Sequence, residues 1–467
     1  MGTFLITGGT VVTAADTTTA DVLIDGEKIV ALMAPGSELA AACRRGGARI
    51  IEADGCYVIP GGIDPHTHFE AQGQAAPVLD TFATGTRAAA LGGTTTVVDF
   101  AYAPPGGRPG QGLDWYHAKA EGQCAVDYGF HMMLTDCDLE TPSEVEDLMA
   151  RGVTSFKLYM AYTGLYSPDG VILRMLQHSA RTGALMMVHA ENGPAIDVLR
   201  EQALEAGQTA PVDHAKTRPA ALEAEAIHRV TRLAEVAGAP VYIVHLSSAE
   251  GLEEIIRARD RGVRALAETC PQYLFLDHSR LELPGFEGAK YVCSPPLRSS
   301  EARNVLWKGL ADGFIQNVAT DHCPFCWDQR LLGVDDFRAI PNGLPGVEHR
   351  LEQIFHGGVA GGRISLNRWV EICSTAPAKT FGLYPRKGSL APGADADVVI
   401  FDPKANHVVS SRTHHMNVDY SVYEGQELSG AVRTVLLRGK VVVDHGQYRG
   451  RGGDGRFLHR ELSITGP

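Results

Sequence analysis

Six residues that can bind a metal or exchange a proton lie in or at the ends of short apolar runs of this sequence. They are His66 and His68 in GGIDPHTH, Lys157 in SFKLYM, His189 in MMVHAEN, His245 in YIVHLSS and Asp321 in VATDHCP. The hydrophobic strands of a packed core do not need histidines at their ends for stability. The repeated coincidence therefore predicts that these side chains converge on one metal site.

His66 and His68 are two residues apart, so on a β-strand both imidazoles point to the same face. Two imidazoles on one face can approach a single cation. A histidine standing alone, such as His189 or His245, is more often an ordinary core or rim residue. The metal interpretation depends on all the strand ends together and not on any one motif.

Lys157 lies in an apolar run, where an unpaired ammonium is costly to bury. A salt bridge, or a side chain that reaches out to solvent, would remove that cost. Alternatively, burial lowers the pKa of the lysine, and its neutral amine adds CO2. The resulting carbamate is anionic and has two oxygens, so it could bridge two cations.

Eight β-prone runs alternate with helical patterns through the middle of the chain. The runs are Gly62–His68, Thr94–Ala101, Tyr128–Leu134, Thr154–Met160, Ala184–Ala190, Val241–Ser247, Val263–Cys270 and Asn317–Cys323. Helical spacing between them includes Leu79–Leu91, Pro142–Ala150, Ile172–Thr182, Ala220–Ala237 and Ala249–Arg261. Eight strand–helix repeats predict a (β/α)8 TIM barrel, in which reacting groups lie at the carboxyl ends of the strands. A doubly wound sheet would need a glycine-rich phosphate loop, and the sequence has none.

Composition narrows the possible partners and the location of the protein. The 467 residues carry a net charge of -13, which disfavours nucleic acid and anionic membranes because no basic excess is available to neutralise phosphates. No apolar run is long enough to span a bilayer, and no basic region precedes the first apolar stretch. With nine scattered cysteines, we expect a cytoplasmic protein with reduced thiols.

Ordered motifs along nearly the whole chain resemble the cyclic amidohydrolases that include dihydropyrimidinase and D-hydantoinase. They are PGGIDPHTH at 60–68, GGTTTVVDFA at 92–101, SFKLYMAY at 155–162, VHAEN at 188–192, VHLSS at 244–248, ETCPQYL at 268–274, CSPPLR at 293–298, ATDHCPF at 319–325, NGLPGVE at 342–348 and GSLAPGADADVVIFDP at 388–403. The resemblance implies a small β-sandwich domain built from both β-rich chain ends, at 1–57 and 386–467, around a catalytic barrel at 58–385.

The resemblance also implies the roles of individual residues. One metal would be held by His66, His68 and Asp321, the second by His189 and His245, and carboxylated Lys157 would bridge the two. Asp321 would move the proton of the attacking water, Tyr162 would donate to the developing oxyanion, and Ser294 and Asn342 would hold the amide edge of the ring. The family usually carries two zinc ions per chain and commonly forms homotetramers.

The segment after His68 departs from the family's pattern. Bulky apolar residues usually follow there, whereas this chain has small and polar residues over Phe69–Pro77. We expect a roomier and wetter pocket wall, and a larger or more polar ring than plain dihydrouracil. The alternative is that the stretch Ala161–Pro168, with Leu165 and Tyr166, fills the gap.

Other members of the same superfamily remain as alternatives. Dihydroorotase normally has an arginine where this chain has Glu70, whose charge we expect to repel the substrate carboxylate. Allantoinase shares the ligand set, and a cyclic imide hydrolase would also suit a polar pocket. A non-catalytic scaffold of this fold is disfavoured because all six ligand positions are kept.

Overall fold

A computed structural model describes residues 2–72, 75–135, 137–138 and 140–463. The chain begins with seven short strands and one helix, α1 (Glu38–Arg45), which lies between β5 and β6. The strands are β1 (Thr3–Thr7), β2 (Thr10–Val12), β3 (Thr17–Thr19), β4 (Asp21–Asp25), β5 (Lys28–Met33), β6 (Arg49–Glu52) and β7 (Tyr57–Pro60). The sequence did not predict α1, which Ser37 caps at its start and in which Ala40 is the buried residue.

Eight parallel strands then form the central sheet, in chain order from β8 to β15. They are β8 (Gly62–Thr67), β9 (Thr94–Ala101), β10 (Asp127–Met133), β11 (Ser155–Tyr159), β12 (Leu185–His189), β13 (Val241–Ile243), β14 (Ala265–Thr269) and β15 (Asn317–Val318). A parallel bridge between Thr67 and His322 connects the first strand to the segment after the last. The predicted (β/α)8 barrel is thereby confirmed.

Helices follow the barrel strands and cover the outside of the sheet. They are α2 (Phe82–Leu91), α3 (Pro109–Ala120), α4 (Thr141–Ala150), α5 (Asp169–Thr182), α6 (Gly193–Glu205), α7 (Pro211–Lys216), α8 (Ala220–Ala237), α9 (Ala249–Asp260), α10 (Pro271–Phe275), α11 (Ser300–Ala311), α12 (Trp327–Arg330), α13 (Arg350–Ile354), α14 (Leu366–Val370) and α15 (Ala376–Thr380). Among the described residues, no helix has the length and apolar character needed to cross a membrane.

Both chain ends build the second part of the molecule. The carboxyl-terminal strands are β16 (Val398–Val408), β17 (Glu427–Leu437), β18 (Lys440–Asp444) and β19 (Gln447–Tyr448). A seven-stranded sheet has the order β19-β18-β17-β16-β7-β2-β3, and a four-stranded sheet has the order β5-β4-β1-β6. Apolar side chains of both sheets, including Phe4, Val22, Val58 and Ile400, share one core.

The expected β-sandwich from both chain ends is therefore present. The boundaries at 57/58 and 385/386 stay a prediction, and the strand β7 extends across the first of them. A tight turn at Arg438–Gly439 joins β17 to β18, and both residues have positive φ, of 43° and 72°. Such a turn matches the twist of an antiparallel hairpin.

Two barrel strands end four or five residues earlier than the sequence predicts. β13 stops at Ile243 and β15 at Val318, although the apolar runs continue to Ser247 and Cys323. His245 and Asp321 have φ angles of 37° and 53°, in the left-handed region that β-strands do not use. The chain therefore leaves the sheet at the two positions that carry these predicted metal ligands.

Candidate metal centre

Three predicted ligands meet at the carboxyl ends of β8 and β15. His66 Nε2 lies 3.2 Å from His68 Nε2, and Asp321 Oδ1 lies 3.0 and 3.1 Å from these two nitrogens. Ligand atoms of a tetrahedral zinc site, at about 2.0–2.1 Å from the metal, are about 3.3 Å from each other. The spacing and the chemistry of the three atoms therefore fit one divalent cation.

A second pair of imidazoles lies beside the first cluster. His189 Nδ1 is 2.9 Å from His245 Nε2, and the rings of His245 and His66 are 5.5 Å apart. Both histidines are buried. Two more nitrogen donors thus face each other within reach of the same space, as a second cation would require.

Lys157 lies between the two groups of histidines. Its Nζ is 4.7 Å from the ring centre of Phe100 and 5.1 Å from that of Tyr159. Phe100 stacks on His68, and Tyr159 stacks on His189. Within the described ranges no hydrogen bond or ion pair of the Lys157 ammonium is found, and burial lowers the pKa of Lys157 to about 8. The salt-bridge alternative for this lysine has no support in these contacts.

Two buried glutamates, which the sequence analysis missed, hold the ligand histidines from behind. Glu268 bonds His66 Nδ1, and Glu191 Oε2 lies 2.7 Å from His189 Nε2. A carboxylate on one ring nitrogen fixes the proton there and leaves the other nitrogen free for a metal. Glu191 in HAEN follows its histidine by two residues, and Glu268 stands near the end of a β-prone run, so a search for carboxylates at strand ends would have found both.

The buried carboxylates near His66 also affect the protonation of the site. Burial disfavours the charged form of His66, but Asp321 and Glu268 raise its pKa to about 9. Burial also opposes ionisation of Asp321, yet His66 and His68 hold the pKa of that carboxyl well below its ordinary value. Metal binding would consequently release a proton from His66.

Backbone strain is concentrated at the site. Tyr162, His245 and Asp321 have φ angles of 72°, 37° and 53°. Residues other than glycine adopt this left-handed region at a cost of about 1–3 kcal/mol, and such residues cluster at functional sites. The residue types do not indicate this strain, because none of the three is a glycine or asparagine.

The nine predicted site residues line one cavity of about 740 Å³. They are His66, His68, Lys157, Tyr162, His189, His245, Ser294, Asp321 and Asn342. Ser294 Oγ donates to Asn342 Oδ1 at 3.4 Å and accepts from His214 Nε2 at 3.2 Å. Burial raises the pKa of Tyr162, so its hydroxyl keeps the proton that a hydrogen-bond donor needs.

The segment after His68 contributes small side chains to the cavity wall. Ala71, Gln72 and Ala75 line the cavity, while Gly73 and Gln74 lie outside the described residues. Phe69 turns away and packs over Gly85, where an added Cβ would lie 2.0 Å from the Phe69 ring. The Ala161–Pro168 stretch supplies Leu165 to the same cavity, so both segments form the wall.

The structure places the Glu70 side chain outside the cavity, and its expected effect on a substrate carboxylate stays a prediction. Glu70 Oε1 accepts a hydrogen bond from the backbone N–H of Phe82, at the start of α2, at 3.2 Å. A carboxylate at a helix amino end is favoured by the helix dipole. Glu70 therefore serves the helix and does not line the cavity.

Buried histidines, a lysine and a carboxylate at the carboxyl end of a (β/α)8 barrel define a metal-binding hydrolase site. Residues 57–442 match the profile of the amidohydrolase family. The chain belongs to the amidohydrolase family.

Similar proteins are found along the full length of the chain. A D-hydantoinase from Streptomyces coelicolor is 55% identical over 98% of this chain and 97% of that protein. The crystal structure of a dihydropyrimidinase from Brevibacillus agri superposes with a TM-score of 0.96 at 45% identity, covering 100% of both chains. An L-hydantoinase (dihydropyrimidinase) from Arthrobacter aurescens has a TM-score of 0.86 at 28% identity, over 98% of this chain and 99% of that one.

Proposed function

We propose that this protein opens the ring of cyclic ureides by hydrolysis, with 5-substituted hydantoins as its main substrates and N-carbamoyl amino acids as products. Its class, a hydrolase acting on cyclic amides, follows from the family and from relatives similar over the whole chain. The observation that carries the proposal is the meeting of His66, His68 and Asp321 beside His189 and His245 in one cavity.

Two divalent metals, expected to be zinc, would be held by these five residues together with Lys157. When bound, such cations lower the pKa of a shared water and polarise the ring carbonyl. A neutral Lys157 amine would add CO2 and lose a proton to give the bridging carbamate. The partly deprotonated state that burial favours for this lysine supports that step.

Asp321 and Tyr162 would carry the proton and charge movements of ring opening. The Asp321 carboxylate accepts the proton of the attacking water and then passes it to the leaving ring nitrogen. The Tyr162 hydroxyl donates to the oxygen that becomes negative at the attacked carbonyl, and one such donor is typically worth about 3 kcal/mol. Ser294 and Asn342 would hold the amide edge of the ring.

The shape of the cavity supports a substituted ring. Beyond the metal end it continues along Ala71, Ala75, Tyr102 and Trp115. Sites of about 300–1,000 Å³ take ligands of drug size, so a cavity of about 740 Å³ has room for more than an unsubstituted ring. A hydantoin with a large C5 substituent would use this space.

Initial rates of ring opening test the proposal. The protein is loaded with zinc in the presence of bicarbonate and offered dihydrouracil, 5-substituted hydantoins, allantoin and cyclic imides. We expect the highest kcat/KM with a hydantoin that carries a bulky C5 group. A maximum for dihydrouracil would overturn the substituent argument, and failure to open any cyclic amide would overturn the proposed function.

The homotetramer and the cytoplasmic location stay predictions from the sequence. We propose the tetramer as the working assembly, and light scattering of the purified protein would measure its mass. A mass of one chain at micromolar concentration would contradict it.

A further inference from the structure

A buried arginine outside the predicted site contacts both the glutamate that holds a metal ligand and the predicted oxyanion donor. Arg218 lies in the segment between α7 and α8, and 3% of its surface is exposed. Its Nη1 donates to Glu191 Oε2 at 3.1 Å. The same guanidinium lies 5.6 Å from the centre of the Tyr162 ring.

The Glu191 contact leads to a metal ligand. Glu191 Oε2 also accepts from His189 Nε2 at 2.7 Å, which leaves His189 Nδ1 to face His245. One carboxylate oxygen thus serves Arg218 and His189 together. Without the guanidinium, a buried carboxylate would lose its cationic partner and the geometry that aims His189.

The Tyr162 contact bears on the oxyanion donor. Tyr162 has a φ of 72°, so its strained backbone persists only where surrounding groups hold it. Its ring lies 4.8 Å from the His189 ring and beneath the Arg218 guanidinium. A planar guanidinium can stack on an aromatic face while its edge bonds a carboxylate, which an ammonium cannot do as well.

Arg218 is itself held in place by a second arginine, Arg298, which is partly buried. Arg298 Nη1 donates to the Arg218 carbonyl at 2.5 Å, and its other groups bond Glu223 at 3.1 Å and Ser247 at 3.0 Å. Ser247 follows the ligand His245 by two residues. The position of Arg218 is therefore fixed relative to the ends of both β12 and β13.

We propose that Arg218 is a positioning residue that couples the oxyanion donor Tyr162 to the metal ligand His189. The test of this inference by activity rests on the proposed function, whereas its test by metal retention needs no substrate. Because Arg218 acts through Tyr162 and through Glu191, its removal affects turnover and metal retention together.

A double-mutant cycle in kcat tests the coupling to Tyr162. With zinc in saturating excess, so that every variant is fully loaded, we expect Arg218→Met to lower kcat about 10- to 100-fold with KM within about threefold. In the Tyr162→Phe background the same substitution should lower kcat by no more than about threefold. Arg218→Lys, which keeps the charge and loses the planar fork, should still lose at least about fivefold. Additive losses in the cycle, or wild-type kcat in Arg218→Lys, would overturn the proposal.

Metal retention under a chelator tests the coupling to His189. Arg218→Met and Glu191→Gln should each weaken retention of one metal per chain by about 10- to 100-fold. Arg460→Met is the matched control, since Arg460 is equally buried and bonds Ser155 and the Phe130 carbonyl away from the site. Retention equal to wild type in Arg218→Met would overturn the proposal, whereas a wild type inactive on every cyclic amide would overturn the proposed function alone.

Discussion

At the scale of single residues, the ring nitrogen that a buried glutamate bonds determines which nitrogen of each histidine is free to bind a metal. Glu268 bonds Nδ1 of His66, whereas Glu191 bonds Nε2 of His189. The two histidines therefore present opposite nitrogens to the centre of the site. A spacing such as HxH identifies the donor residues but cannot indicate which atom each one offers.

Removing the proton acceptor should abolish turnover without emptying the site. In Asp321→Asn we expect kcat to fall at least about 1,000-fold, because an amide cannot accept the proton. Some metal should remain, since His66 and His68 still face each other at 3.2 Å. Elemental analysis and initial rates measure both effects, with exposed Asp312→Asn as the control. Retention of most activity in metal-loaded Asp321→Asn would refute the role.

Loss of the Tyr162 hydroxyl should reduce kcat and spare binding. We expect Tyr162→Phe to lower kcat about 100-fold with little change in KM, because the donor acts on charge that develops only during reaction. Tyr166→Phe, at a partly exposed ring of the same segment, is the matched control. Steady-state kinetics decide, and a loss under about threefold in Tyr162→Phe would contradict the assignment.

At the scale of elements, strand bodies were predictable and strand ends were not. The β9 bounds agree with the apolar run Thr94–Ala101, and α8 agrees with Ala220–Ala237. β9 is buried along its whole length and α8 is buried on one face, and both burial patterns are visible as hydrophobic patterning in the sequence. His245 and Asp321 instead leave the sheet through left-handed φ angles, which hydrophobic patterning does not encode.

A larger side chain in the cavity wall after β8 should lower activity on bulky substrates more than activity on small ones. Ala75 is exposed and lines the cavity, so Ala75→Phe should fold normally and narrow the space. We expect kcat/KM for a bulky 5-substituted hydantoin to fall about 10-fold, with that for dihydrouracil unchanged. Competition between the two substrates measures the ratio, and exposed Ala42→Phe on α1 is the control. Equal losses for both rings would show that this wall does not set specificity.

At the scale of the whole molecule, one buried lysine connects the barrel to the sandwich. Lys387 Nζ lies 2.5 Å from Asp127, 2.6 Å from Asp397 and 3.1 Å from Asp395. Asp127 begins β10, at the end of the barrel opposite to the site, and it also pairs with Arg438. Burial opposes protonation of Lys387, but the three carboxylates raise its pKa.

Removing this lysine should destabilise the protein and spare its chemistry. Lys387→Met would remove the cation that the three carboxylates share and leave the buried Asp397 without an ion-pair partner among the described residues, at a cost of about 3–5 kcal/mol. We expect a lower urea midpoint, with kcat/KM of the folded protein within about twofold of wild type. Exposed Lys404→Met should change stability by no more than about 0.5 kcal/mol. A midpoint for Lys387→Met equal to that of Lys404→Met would contradict the role of the cluster.

The sequence predicted the barrel, the contribution of both chain ends and the residues around the cavity. It could not predict Lys387 or Arg218, because buried ion pairs between distant segments leave no periodic pattern. Glu70 shows the converse case, since its position two residues after His68 indicated a place in the cavity, whereas its carboxylate accepts a hydrogen bond from the backbone N–H of Phe82. Chain proximity to a motif does not determine where a side chain points.

Removal and restoration of the metals tests the central claim most directly. Metal-free protein is titrated with zinc in the presence and absence of bicarbonate, and opening of a 5-substituted hydantoin is followed with metal content per chain. We predict no turnover without metal, and full activity at two equivalents with bicarbonate present. Undiminished ring opening by metal-free protein would contradict the account.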